Sequence, residues 1–157
     1  KEEISEEGAD QAVKIYRDYY ETKGQMEAHL YDGIKEVLEY LSQDSNKKIF
    51  ITTSKNEPIA LEMCKHLGIT EYFDGIYGST PTAFHKADVL QRAITENQAP
   101  KDQSVIVGDT KFDLIGGKTV GIKTIAVTWG FGKNETLLAE NPDFIADTTQ
   151  ELWDILK

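Results

Sequence analysis

Two acidic residues, Asp109 and Asp113, follow a short apolar run and stand four positions apart. The run at 104–108 is rich in Val and Ile and ends on Gly108, which is typical of a strand buried on both faces of a parallel sheet. Ligands bind beyond the carboxyl ends of such strands, and two carboxylates there could hold a hard cation such as Mg²⁺ through oxygen. The alternative is a solvated turn in which Asp109 caps the next helix.

Two further segments carry polar groups after predicted strands. Thr53, Ser54 and Lys55 end one strand, and their hydroxyl and backbone N–H groups suit a phosphate oxygen; the alternative is that Thr53 or Ser54 caps the next helix. Lys86 stands at a predicted helix start, where the helix dipole disfavours a cation, so a phosphate or carboxylate partner would explain its position. A hydroxyl, a lysine and paired acids at successive strand ends suit phosphoryl transfer, which depends mostly on positioning and charge neutralisation.

The elements that must position these residues alternate along the chain. Apolar runs predict strands at 48–53, 73–77, 104–108, 124–128 and 144–145. Helical spacing predicts helices at 5–23, 34–43, 57–66, 86–97, 112–120, 135–140 and 149–156. Strand and helix in turn indicate an α/β fold with a doubly wound, parallel, Rossmann-like sheet.

Composition limits the classes of protein. The length of 157 residues suits one domain, and a charged fraction of 28% is ordinary for a soluble globular protein. The net charge of −10 argues against nucleic acids and anionic membranes as partners, because both require a basic surface. No apolar run approaches the ~20 residues that span a bilayer. Cys64 is the single cysteine, so an internal disulfide is excluded and a reducing, cytoplasmic location is expected.

The ordered motifs resemble those of the haloacid dehalogenase superfamily, and the closer match is its phosphoglycolate phosphatase-like branch. The segment 53–55, Lys86 and the segment 108–113 look like the second, third and fourth motifs of that family. Supporting similarities occur in family order at 16–20, 31–33, 72–78, 127–132, 142–143 and 151–152. The resemblance implies part of a helical cap at 1–28, followed by the α/β core at 29–157.

The resemblance also implies a mechanism and a substrate class. In the family an aspartate attacks phosphorus, water hydrolyses the aspartyl-phosphate, and Mg²⁺ bridges the nucleophile and the phosphate. Thr53 and Ser54 would bind the phosphoryl oxygens, and Lys86 would neutralise charge on the nucleophile and the phosphate. Asp109 would be the direct metal ligand, and Asp113 would bind through water or orient the site. The implied partner is a small phosphorylated metabolite: phosphoglycolate, a nucleotide or a sugar phosphate.

The chain departs from the family pattern in two places. Lys86 is followed by Ala87, where relatives often have proline. The first motif, an apolar strand ending in Asp-x-Asp-x-Thr, is not found before residue 30. In the family that strand is central, and without it the strands ending at Thr53 and Gly108 would be roughly 9–10 Å apart. We therefore expect the nucleophile on a strand upstream of residue 1, and residues 1–157 alone to be inactive.

Three other functions stay open at this point. Within the superfamily, the protein could be a phosphomutase or a dehalogenase. In a different class, it could be a non-catalytic α/β binding module whose acids and lysine are helix caps and surface charges. The sequence carries no signal for the oligomeric state.

Overall fold

The computed structural model describes residues 28–157, so the helix predicted at 5–23 and nearly all of the cap predicted at 1–28 lie outside the described residues. The strands are β1 (Phe50–Asn56), β2 (Gly75–Ser79), β3 (Val105–Gly108), β4 (Lys123–Val127) and β5 (Phe144–Ala146). The helices are α1 (Ile34–Gln43), α2 (Glu57–Leu67), α3 (Lys86–Glu96), α4 (Lys111–Val120), α5 (Asn134–Leu138) and α6 (Thr149–Leu156). Short 3₁₀ turns occur at Thr70–Tyr72 and Lys101–Gln103. No helix in this part of the chain has the length and hydropathy to cross a bilayer.

The largest difference from the predicted elements is the end of β1. The strand was expected to end at residue 53, but it continues to Asn56, which pairs with Ser79 after an irregularity in register beyond Thr52. Thr53 and Ser54 therefore lie within the strand and not after it. The apolar run ends at Ile51, whereas the strand continues through polar residues to the pair of Asn56 and Ser79.

All strand pairs in the described residues are parallel, which confirms the predicted α/β fold. They form two sheets: β1 pairs with β2, and β4 lies between β3 and β5. Helix α3 contacts β1, β2 and α4, and α4 in turn contacts β3 and β4. The two helices thus connect the sheets and bring the ends of β1 and β3 into one region.

A cleft of about 990 Å³ lies between the two sheets. Ile51 and Thr52 of β1, Val105 and Val107 of β3, and apolar side chains of α1, α3 and α6 line it. Both valines are 38% exposed, whereas valines of a parallel sheet covered on both faces are normally buried. Within the described residues β1 and β3 are not hydrogen-bonded to each other. The division falls between the strands of the second and fourth motifs, where the resemblance to the haloacid dehalogenase superfamily implies a further strand.

The core confirms the helical periodicity read from the sequence. Four apolar residues at helical spacing in α3 are all buried: Val89, Leu90, Ala93 and Ile94. Leu90 and Ile94 pack with Ile106 of β3 and with Val120 and Ile122. A second cluster joins β4, β5 and α6 through Ile125, Val127, Ala146 and Leu152. Cys64 is buried as a small apolar residue, and its burial raises the pKa of the thiol.

Candidate active site

Lys86 connects β1 to the helix that follows β3. It is the first residue of α3, and its Nζ forms a 2.7 Å ion pair with Oδ1 of Asp113. The same ammonium donates a hydrogen bond to the carbonyl oxygen of Thr52 in β1. Its side chain is only 14% exposed, so Lys86 is not a solvated surface lysine. The anionic partner that its position at a helix start requires is a carboxylate of the fourth motif.

Asp113 is held by hydrogen bonds on both of its carboxylate oxygens. Oδ1 is paired with Lys86, and Oδ2 accepts the Thr110 N–H at 3.1 Å and the Thr110 hydroxyl at 3.0 Å. Gly108 permits this arrangement, since a Cβ at that position would lie 2.1 Å from Cβ of Asp113. The side chain is 12% exposed. With both oxygens engaged, Asp113 is better placed to orient neighbouring groups than to bind a metal ion directly.

Asp109 does not cap the following helix. The N-cap of α4 is Thr110, and Oδ2 of Asp109 instead accepts the N–H of Phe131 at 2.7 Å. Its Oδ1 accepts no hydrogen bond from the residues that the structure describes. The side chain therefore has one oxygen fixed by the loop after β4 and one oxygen available to a ligand. The alternative interpretation of Asp109 as a simple helix cap is wrong.

Thr53 and Ser54 do not cap a helix either. The N-cap of α2 is Asn56, and Oγ1 of Thr53 accepts the N–H of Lys55 at 3.1 Å. Ser54 is exposed. Among residues 28–157, no hydrogen bond joins the hydroxyl group of Thr53 or Ser54 to Lys86, Asp109 or Asp113. The contact between Lys86 and the carbonyl group of Thr52 nevertheless brings the lysine to the residue before Thr53.

The acids present fit Mg²⁺ as a partner. The described residues contain no group of three or more His, Cys, Asp or Glu side chains that would enclose a metal ion. Mg²⁺ does not require one, because it usually binds one or two carboxylates and completes its octahedron with water and substrate phosphate. Asp109, with its available oxygen, could supply the direct ligand, and Asp113 could bind through water.

Three partners of the site residues were not foreseen from the sequence. The Thr-x-x-Asp spacing of Thr110 and Asp113 is a capping-box pattern and could have been recognised. The Thr52 carbonyl group and the Phe131 N–H are backbone groups, so residue type gives no signal for them. They reach Lys86 and Asp109 from 34 and 22 positions away.

Comparisons with known proteins identify the family of this chain. The family model of haloacid dehalogenase-like hydrolases matches residues 1–127. A haloacid dehalogenase-like hydrolase from Streptococcus pneumoniae, of known structure, is 44% identical and superposes with a TM-score of 0.92, covering 98% of this chain and 72% of that one.

Two curated relatives carry names of phosphatases. A phosphoglycolate phosphatase from Vibrio vulnificus is 29% identical over 156 residues, which are 98% of this chain and 68% of that protein. A 5′-nucleotidase from Pseudomonas aeruginosa is 31% identical over 134 residues, which are 84% of this chain and 60% of that protein. The matched family model and the fold together show that the chain belongs to the haloacid dehalogenase-like hydrolases, and within that family it is a phosphatase.

Proposed function

We propose that the protein hydrolyses a small phosphate monoester in a Mg²⁺-dependent reaction. The observation that carries this proposal is the contact of Lys86 with both Asp113 and the carbonyl oxygen of Thr52, which joins the third and fourth motifs beside the residue that precedes Thr53. Phosphoglycolate and nucleotides are the candidate substrates that the names of the relatives suggest, and sugar phosphates are a third. A cytoplasmic location and the absence of nucleic-acid and membrane partners stay predictions from charge and cysteine content.

In this proposal each of the five site residues has a role in binding the phosphate or the metal ion. Thr53 and Ser54 bind the phosphoryl oxygens through hydroxyl and backbone N–H groups at the carboxyl end of β1. Lys86 neutralises negative charge at the point where nucleophile and phosphate meet, and Asp113 holds its ammonium in place. Asp109 would hold Mg²⁺ through Oδ1, and the ion would neutralise phosphate charge and lower the barrier to attack.

The nucleophile, in this proposal, is an aspartate on a strand that occupies the cleft between β1 and β3. The strand would pair with β1 on one side and with β3 on the other, and it would present an Asp-x-Asp-x-Thr segment beside Lys86. A carboxylate oxygen of the first aspartate forms a bond to phosphorus as the ester P–O bond breaks, and the departing alkoxide takes up a proton. Water then attacks the acyl phosphate, releasing inorganic phosphate and restoring the carboxylate.

The translated sequence of the complete reading frame tests whether that strand lies before residue 1. We expect an apolar segment ending in Asp-x-Asp-x-Thr before residue 1, and we expect a truncated protein without it to release no phosphate. A reading frame that starts at Lys1, or that contains no such segment, would contradict this part of the proposal.

Phosphate release from a panel of monoesters tests the reaction itself. Protein from the complete reading frame should release phosphate from phosphoglycolate, nucleoside monophosphates or sugar phosphates with Mg²⁺, and EDTA should abolish the release. Conversion of a sugar phosphate into its isomer without phosphate release would indicate a phosphomutase, and halide release from a haloacid would indicate a dehalogenase. Binding without turnover of any substrate would favour the non-catalytic module.

A further inference from the structure

The loop that follows β4 encloses the Asp109 side chain. Residues 130–132 read Gly-Phe-Gly, and we call them the Asp109 loop. The N–H of Phe131 donates to Oδ2 of Asp109 at 2.7 Å. Within the described residues this is the hydrogen bond that the Asp109 carboxylate accepts, so the loop engages Oδ2 and leaves Oδ1 without a hydrogen bond there.

Both glycines of the loop lie too close to Asp109 for any side chain. A Cβ at Gly130 would lie 2.1 Å from Cβ of Asp109, and a Cβ at Gly132 would lie 2.1 Å from the carbonyl oxygen of Asp109. Neither glycine has a φ in the left-handed region, so backbone conformation does not call for glycine here. Close approach to Asp109 does.

The side chain of Phe131 takes no part in this enclosure. The ring is 92% exposed, and the contact to Asp109 is made by the backbone N–H alone. Any residue other than proline supplies that donor. The loop therefore acts on Asp109 through its backbone.

We propose that the Asp109 loop is a positioning element that holds Oδ2 and thereby directs Oδ1 toward Mg²⁺. This inference rests on the proposed function, in which Asp109 is the direct metal ligand. A carboxylate that is already oriented loses less side-chain freedom when it binds the ion. The loop residues are positioning residues, since none of them needs to touch the metal or the substrate.

Mg²⁺ affinity, measured by calorimetry without substrate on protein from the complete reading frame, tests the proposal. Gly130→Ala and Gly132→Ala should each weaken Mg²⁺ binding by about tenfold or more, because the added methyl group displaces Asp109. Phe131→Ala keeps the N–H and should change the affinity by less than about twofold. Gly75→Ala is a control for a milder clash elsewhere: its Cβ would meet Cε2 of Tyr77 at 2.9 Å, at the start of β2 and away from Asp109 and Asp113.

Two further measurements separate positioning from general destabilisation. Replacing the Phe131 N–H with an ester oxygen, by incorporating phenyllactic acid, removes the donor without adding atoms, and it should also weaken Mg²⁺ binding. In an Asp109→Asn background, Gly130→Ala should cause no additional loss, because both changes act through one side chain.

The outcomes separate this inference from the proposed function. If Asp109→Asn binds Mg²⁺ as well as the wild type does, Asp109 is not the ligand, and both ideas fail. If Asp109→Asn loses the ion while the ester variant and folded glycine variants keep wild-type affinity, only the positioning role is overturned. Equal weakening by Gly75→Ala would likewise overturn it.

Discussion

Replacing Lys86 with methionine is expected to lower kcat by at least about 10²-fold, since the loss of one preorganised charge typically costs that much. The ammonium contacts Asp113 and the carbonyl oxygen of Thr52 in β1, and the proposed phosphoryl group would sit beside it. Methionine keeps most of the side-chain volume but cannot neutralise charge. Steady-state phosphate release by protein from the complete reading frame gives the measurement.

The stability of the same variant follows from the ion pair. Because Lys86 is paired with Asp113, Lys86→Met is expected to lower the free energy of unfolding. Both side chains are nearly buried, at 14% and 12% exposure, and removing one partner of a buried pair costs about 3 kcal/mol or more. Urea unfolding should show this loss, and adding Asp113→Asn should restore part of it.

Lys48→Met is the matched control for both measurements. Lys48 also forms an ion pair, with Asp74 at 3.3 Å, but its side chain is 68% exposed. Exposed pairs contribute about 0–1 kcal/mol, so stability and kcat should stay close to the wild type. Retention of wild-type kcat by Lys86→Met would exclude the catalytic role, whatever happens to stability.

Replacing Asp109 with asparagine is expected to remove most Mg²⁺ affinity and most turnover. The change takes one negative charge from a hard-cation ligand, while the asparagine oxygen can still accept the Phe131 N–H. The variant should therefore fold as the wild type does, and excess Mg²⁺ should recover at most part of the activity. Calorimetry with Mg²⁺ and a kinetic Mg²⁺ titration measure the two effects.

Asp102→Asn is the control for the charge change alone. Asp102 is exposed and lies in the 3₁₀ turn before β3, so both affinity and turnover should be unaffected. Near-wild-type activity of Asp109→Asn across the Mg²⁺ titration would show that the carboxylate is not the metal ligand.

Local sequence signals were enough to predict the bounds of the helices with strong periodicity. Helix α1 was expected at 34–43 and α6 at 149–156, and both have those bounds. Each has amphipathic spacing and a distinct boundary: Gly33 adopts the left-handed conformation before α1, and the hydroxyl of Thr148 accepts the Glu151 N–H at the start of α6. These signals act within one turn of helix, so no distant partner is needed to read them.

By itself, the sequence determined the alternation of strands and helices and the types of residue at the strand ends. Only the tertiary structure decided that β1 continues to Asn56, that Lys86 is paired with Asp113, and that Phe131 holds one oxygen of Asp109. Each of these contacts joins segments distant in sequence, and two of them use backbone groups that every residue carries. Residue types and spacing record local preference, whereas contacts between distant segments arise only when packing brings those segments together.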